Sequence, residues 1–166
     1  MYGVYGIMGS NWSVAELGKM TEEEVAGALE RAEAICRRAR ARLTRTRRQI
    51  LEIVLRGAAP ATASDILQQL RPVERSATPA AVYRSVEFLI QHGLVHRLDS
   101  AKAFIACAIP EHEHPSQVLI CRRCGTVIET EDRHVASATH ALSHKLGFAL
   151  DRHVVELTGL CGPCRT

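Results

Sequence analysis

The stretch that decides the fold is Thr78–Cys107, TPAAVYRSVEFLIQHGLVHRLDSAKAFIAC. Thr78 can accept a hydrogen bond from the first turn of a helix. Pro79 suits the first helical position, because its missing N–H would have no partner there. Val82, Val86, Leu89 and Ile90 recur at helical spacing, and Gly93 after His92 supplies a left-handed stop. Two short apolar-rich runs follow, Leu94–Leu98 and Ala103–Cys107, joined by Asp99-Ser-Ala-Lys102. That is the pattern of a β-hairpin. A helix leading directly into a hairpin is the second half of a winged helix-turn-helix, whose last helix lies in the major groove of DNA.

Working back from Thr78, the preceding sequence supplies the other helices. Thr21-Glu-Glu-Glu24 is a capping box opening a helix to about Arg42, with Val25, Leu29, Ala32 and Cys36 on one face. Cys36 on that stripe reads as a small core residue. A second helix is predicted from Thr46 to Arg56 with Ile50, Ile53 and Val54 inward, and a third from Ser64 to Leu70 with Ile66, Leu67 and Leu70 inward. Residues 1–20, rich in small residues and without period, read as an N-terminal arm. The winged helix is thus expected over residues 21–108.

Working forward, the pattern changes after Pro110. A hinge over 109–115 leads to a small α/β domain over 116–166. Strands are expected at Gln117–Cys121 and Thr126–Thr130. A helix runs from Asp132 to Gly147 with Val135, Ala138, Leu142 and Leu146 along it, and a strand covers Phe148–Leu157. The whole is an α+β chain: a winged-helix DNA-binding domain, then a small α/β dimerisation domain.

Composition fits. The chain has 166 residues, 46% of them hydrophobic, which is enough for packed cores. No apolar run approaches the roughly 20 residues that span a bilayer, and the first residues lack the order of a secretory signal. We read the chain as soluble and cytoplasmic, with no membrane or small-molecule partner. Net charge is +3. It lies in residues 1–100, with 14 Lys+Arg against 11 Asp+Glu, while 101–166 hold 7 of each. Arg37, Arg38, Arg40, Arg42, Arg45, Arg47 and Arg48 fall within twelve residues that contain no acid. A solvated helix face and a phosphate-binding patch both produce such a block.

Four of the six cysteines form two CxxC pairs, Cys121/Cys124 and Cys161/Cys164, with 36 residues between them. Zn²⁺ takes tetrahedral sulfur and nitrogen ligands, and each CxxC turn presents two thiolates to one ion. If the C-terminal strand returns beside the first pair, the four thiolates form a closed structural zinc site. The competing reading, a thioredoxin-type redox pair, needs a βαβ setting that the sequence lacks. A second set is spread more widely. The candidates are His92, His96, Cys107, Glu111, His112, Glu113, His114, Glu129, Glu131, His134, His140, His144 and His153; of these His96 and Cys107 fall on the two arms of the hairpin, and His112 and His114 in the hinge. A metal gripping wing, hinge and second domain would fix their relative orientation. His140 and His144, one helical turn apart, read as exposed helix residues. No HExxH occurs.

In order and spacing, several stretches together resemble the ferric uptake regulator superfamily, in its zinc uptake regulator branch. They are Ala32–Cys36, Arg42–Arg47, Ala81–Arg84, Leu94–Arg97, Leu119–Gly125, Gly147–Leu150 and Gly159–Cys164. The similarity covers about Glu30 to Cys164. It implies a sensory zinc held by His96, Cys107, His114 and Glu129, besides the structural zinc, so two Zn²⁺ per subunit. It also implies a candidate third site to which His112, Glu131 and His153 would contribute. Further implications are a homodimer and a double-stranded, palindromic, AT-rich DNA operator controlling zinc-uptake genes. Expected DNA contacts are Tyr83 and Arg84, Thr78 at the start of the same helix, and Arg45 for phosphates. Some relatives place a tyrosine before the acidic residue of the third helix, where this chain has Ser64 before Asp65.

Alternatives from the same superfamily are an iron or peroxide sensor, against which the soft Cys107 thiolate argues. A thiol redox switch at Cys107 is a further alternative. A zinc hydrolase would need an open coordination position, whereas this set fills four places. The expectation is therefore a regulator and not an enzyme.

Overall fold

The computed structural model describes residues 20–57, 59–107, 110, 116–150 and 153–165; the expected N-terminal arm and most of the hinge lie outside them. In chain order come helices α1 (Glu22–Arg38) and α2 (Arg45–Arg56), strand β1 (Ala61–Thr62), helices α3 (Ala63–Leu70) and α4 (Pro79–Gln91), and the hairpin β2 (Val95–Leu98) and β3 (Ala103–Ala106). Then follow β4 (Ser116–Cys121), β5 (Val127–Thr130), α5 (Arg133–Lys145), β6 (Val154–Gly159) and a 3₁₀ turn at Gly162–Cys164. Two three-stranded sheets result, β1-β3-β2 and β5-β4-β6.

The capping box forms: the Glu24 N–H donates to the Thr21 hydroxyl at 3.2 Å, and the Thr21 N–H donates to the Glu24 carboxylate at 2.8 Å. Val25, Leu29, Ala32 and Cys36 are all buried on α1. This helix ends four residues short of the expected Arg42. Arg40 takes a left-handed conformation (φ 52°), and the Ala41 N–H closes onto the Cys36 carbonyl at 2.8 Å. That is a Schellman turn with arginine where glycine is usual, so no glycine marked it. It frees Thr44 to cap α2. α3 likewise begins earlier than expected, at a second capping box between Thr62 and Asp65. α4 is capped by Thr78, carries Pro79 in its first turn, and stops at His92 ahead of Gly93 (φ 66°).

The hairpin pairs from Val95↔Ala106 to Leu98↔Ala103. β1, too short for alternation to reveal, adds to its outer edge through Ala61↔Phe104. In the second sheet, β4 pairs antiparallel with β5 and parallel with β6, with α5 in the crossover.

One expectation for this region needs correction. The last strand is Val154–Gly159, not Phe148–Leu157. Residue 148 is consumed by the α5 cap, where Gly147 is left-handed (φ 65°) and the Phe148 N–H reaches the Ser143 carbonyl at 2.8 Å. The α5 stripe is not buried within this chain: Leu142 is 58% and Leu146 70% exposed. Phe148, Leu150, Leu157 and Leu160 are exposed as well. On the opposite face of the sheet, Val118 and Val127 join the same buried cluster as Leu89, Leu94, Val95 and Ile105 of the winged helix. The two regions therefore share one continuous core. No helix among the described residues is long and apolar enough to cross a membrane.

Candidate metal centres and nucleic-acid interface

β4 ends in the first CxxC and β6 leads into the second, and their parallel pairing carries both to the same end of the sheet. Cys121 lies opposite Gly159, and the Arg122 N–H reaches the Gly159 carbonyl at 2.9 Å. Ligand atoms of Cys121, Cys124, Cys161 and Cys164 all lie within 4.8 Å of one another. The Cys161 N–H donates to the Cys121 sulfur at 3.4 Å. That N–H, with the one of Cys124, holds the Cys121 thiol down at about 5. Cys164, which shares hydrogen bonds first with Cys161, is pushed up to about 12. Four thiols this close cannot all ionise unless a cation joins them, and a four-sulfur set at one point suits tetrahedral Zn²⁺.

A second group forms where the two regions meet. His96 projects from β2, Cys107 follows β3, and Glu129 projects from β5; their ligand atoms also lie within 4.8 Å of one another. His96 Nε2 is 2.9 Å from Glu129 Oε1. Glu129 is only 3% exposed, and Cys107 is buried. The base of the wing is closed by the Cys107 N–H donating to the Leu94 carbonyl at 3.0 Å. Burial alone would lower the His96 pKa, but hydrogen bonds with Cys107 and Glu129 outweigh it and raise it to about 9. A buried carboxylate, thiol and imidazole converge from two sheets, and nitrogen, sulfur and oxygen donors suit zinc. His114, the fourth member that the resemblance implies, lies outside the described residues, as does His112.

Of the third candidate set, Glu131 is exposed. His153 packs on α5, where it hydrogen-bonds Thr139 and meets the His140 ring edge-on at 5.2 Å between centroids. Burial lowers the His153 pKa, helped by His140. His140 and His144 are exposed, and Cys36 is a buried core residue.

The outer face of α4 carries Ala80, Tyr83, Arg84 and Glu87, all exposed, while Val82, Ser85, Val86 and Leu89 face inward. Tyr83 is 58% exposed. The Thr78 hydroxyl accepts the Ala81 N–H at 3.2 Å, so its first task is to cap the helix. The basic block divides. Arg37, Arg38, Arg40, Arg42 and Arg45 are exposed. Arg47 instead lies over the Phe88 ring, 3.5 Å from its centroid, and Arg48 pairs with Glu33. α2 thus begins with Arg45-Thr-Arg-Arg and no acid in its first turn. Cations there oppose the helix dipole, which a bound phosphate would reverse.

Glu156, which the sequence reading passed over, also bridges the two regions. Its carboxylate accepts the N–H groups of Asp99, at 2.7 Å, and Ser100, at 3.1 Å, in the hairpin turn. Only the pairing of β6 with β4 brings it there, so no local motif could have signalled it.

A winged helix joined to a sheet domain through buried metal-type ligands defines a class: metal-dependent DNA-binding regulators. The chain belongs to the ferric uptake regulator family, whose sequence model matches residues 38–158. It is 37% identical to the zinc uptake regulation protein of Escherichia coli (strain K12) over 147 residues, covering 88% of this chain and 84% of that one. A solved zinc uptake regulator complexed with zinc and DNA is 36% identical, with TM-score 0.81 over 85% of this chain and 95% of that chain. Holo XcZur gives 0.76 at 34% identity, over 84% and 97% of the two chains. Apo XcZur gives 0.50 at 32% identity, over 87% and 99%.

Proposed function

We propose that the chain is a zinc-responsive DNA-binding repressor of zinc-acquisition genes. It would act as a homodimer on a palindromic operator. The observation that carries this reading is the convergence of His96 and Cys107, from the wing, with Glu129, from the second sheet. Zinc bound there would supply a Lewis-acidic centre of high affinity for these donors and would neutralise the buried carboxylate. His96, Cys107 and Glu129, with His114 as the fourth ligand, tie the wing to the second sheet. Cys121, Cys124, Cys161 and Cys164 hold a second, structural zinc that closes the β4–β6 end of that sheet. Tyr83 and Arg84 read base edges, and Arg45 with its neighbours engages phosphates. The likeness to the zinc- and DNA-bound relative, and the weaker likeness to apo XcZur, support a metal-bound arrangement of the two regions. The exposed row Leu119, Leu157, Leu142, Leu146 and Phe148 is apolar surface that a second copy would cover.

The test is DNA binding against buffered free zinc, with iron and manganese as comparators. Zinc should drive binding at the lowest free concentration. A response to iron or manganese in preference to zinc would overturn the reading.

A further inference from the structure

Across the second sheet, Glu129 lies opposite Val118 on one side and Glu156 lies opposite Val118 on the other. Paired residues point to the same face of a sheet, so both carboxylates flank Val118, which is 0% exposed in the shared core. One row of side chains thus sends two acids toward the winged helix. Glu129 meets His96 near the base of the wing. Glu156 meets the turn at its tip, accepting the Asp99 and Ser100 N–H groups as well as the Ser100 hydroxyl. A carboxylate held by several donors at once makes charge-assisted bonds, which are the strong ones. Glu156 belongs to neither ligand group.

His96 and Asp99 are three residues apart along an extended strand, or about 10 Å. The shared core and Glu129 hold the reading head near the wing's base. A second polar attachment at the tip restricts its rotation further. Resting on the repressor reading above, we infer that Glu156 is a positioning residue: a metal-independent clamp on the wing turn. Together with the His96–Cys107–Glu129 site, it sets the orientation of the DNA-reading head. Zinc then has less orientational freedom to lock, which lowers the share of its binding energy spent on orientation.

The experiment uses the full-length, zinc-loaded protein and a DNA duplex selected from random sequence by the wild type. Glu156→Ala should retain two zinc ions per chain while binding the selected duplex about ten-fold more weakly, the low end for a bond to a charged group because the clamp is partly exposed. Its weak binding to unrelated DNA should not change. Hydrogen exchange at the Asp99 and Ser100 amides should quicken by about ten-fold or more, with the His96 amide unaffected. Unchanged affinity for the selected duplex, or unchanged exchange at those two amides, would overturn the clamp. Should Glu156→Ala lose its zinc, Ser100→Pro reaches the same contact from the other side. Proline is acceptable at this position of the turn and removes both the N–H and the hydroxyl. It should weaken binding to the selected duplex and quicken exchange at the Asp99 amide, the one of the two that remains, and wild-type behaviour would again overturn the clamp. Where both variants fold, combining them should cost no more than Glu156→Ala alone, because that change already removes the Ser100 bonds along with the Asp99 bond. Fully additive losses would instead assign Ser100 to DNA and refute the pairing. If wild-type binding ignores zinc, the repressor reading fails, and amide exchange alone decides the clamp.

Discussion

At the scale of single residues, the most informative group is His96. Its pKa is raised to about 9, so in the metal-free protein it is protonated at neutral pH and paired with Glu129. Zinc needs the neutral imidazole, so metal uptake must release that proton. Apparent zinc affinity at this site should therefore rise with pH between about 6.5 and 9. Calorimetry in buffers of different ionisation enthalpy measures the protons released. A pH-independent affinity across that window would contradict the pairing. The stability consequence has the opposite sense. Because the folded pKa lies above the unfolded one, the stabilisation from this proton is complete below about 6.5 and lost as pH rises to about 9. Protein holding zinc only at the four-cysteine site should thus unfold at lower denaturant at pH 9 than at pH 6.5, and protein with both sites filled should not show this loss. Cys121 offers a harsher test. Zinc-finger peptides gain on the order of 10–16 kcal/mol from such ions, comparable to the stability of a whole domain. Cys121→Ser should leave the second sheet unfolded or the chain monomeric, as circular dichroism and sedimentation would show. A folded dimer with unchanged melting would remove the structural site.

At the scale of elements, what the sequence disclosed was whatever local physics controls. The α1 stripe, the Thr78-Pro79 start of α4, the Gly93 stop and the hairpin all depend on neighbours a few residues apart, and all are present. Pairings between distant residues were not legible. β1 is two residues long, and β6 starts six residues later than alternation suggested, because Gly147 and Phe148 close a helix cap. The Arg40 turn was missed because arginine rarely takes that conformation. The site divides the same way. The CxxC pairs announce themselves by spacing, whereas Glu129 was one candidate among many until the family resemblance picked it out, and Glu156 came from β6 pairing alone. The division of the basic block bears on DNA. Arg47 and Arg48 have internal partners, which leaves Arg45 as the first-turn cation for phosphate, with Arg84 on the outer face of α4 for bases. A bidentate Arg–guanine pair is worth about 1–3 kcal/mol of discrimination. Arg84→Ala should therefore narrow the gap between selected and random DNA. Arg45→Ala should weaken both alike and lower the salt dependence by about one phosphate contact. Equal losses from the two variants on both kinds of DNA, measured across a salt series, would defeat this division.

At the scale of the whole molecule, the proposed regulation would depend on how the reading heads of the proposed dimer are held relative to one another. The shared core through Val118 and Val127 and the Glu156 contact already favour one arrangement. The His96–Cys107–Glu129 set completes it. Moving a population from 1:99 to 99:1 requires about 5.5 kcal/mol of differential binding, within reach of a four-ligand zinc site. The coupling must be reciprocal: if zinc tightens operator binding by some factor, operator must tighten zinc binding by the same factor. Competition with a chelator, with and without operator duplex, measures that factor from the metal's side, and anisotropy at fixed free zinc measures it from the DNA's side. Cys107→Ser would weaken the proposed sensory site without touching the Cys121–Cys164 site. It should keep one zinc, the fold and the dimer, while both measured factors fall to about one. If they fell unequally, the variant would have altered DNA contacts as well as the switch. If neither fell, Cys107 would not be a sensory ligand, and orientation of the wing through His96 and Glu129 could not be what zinc controls.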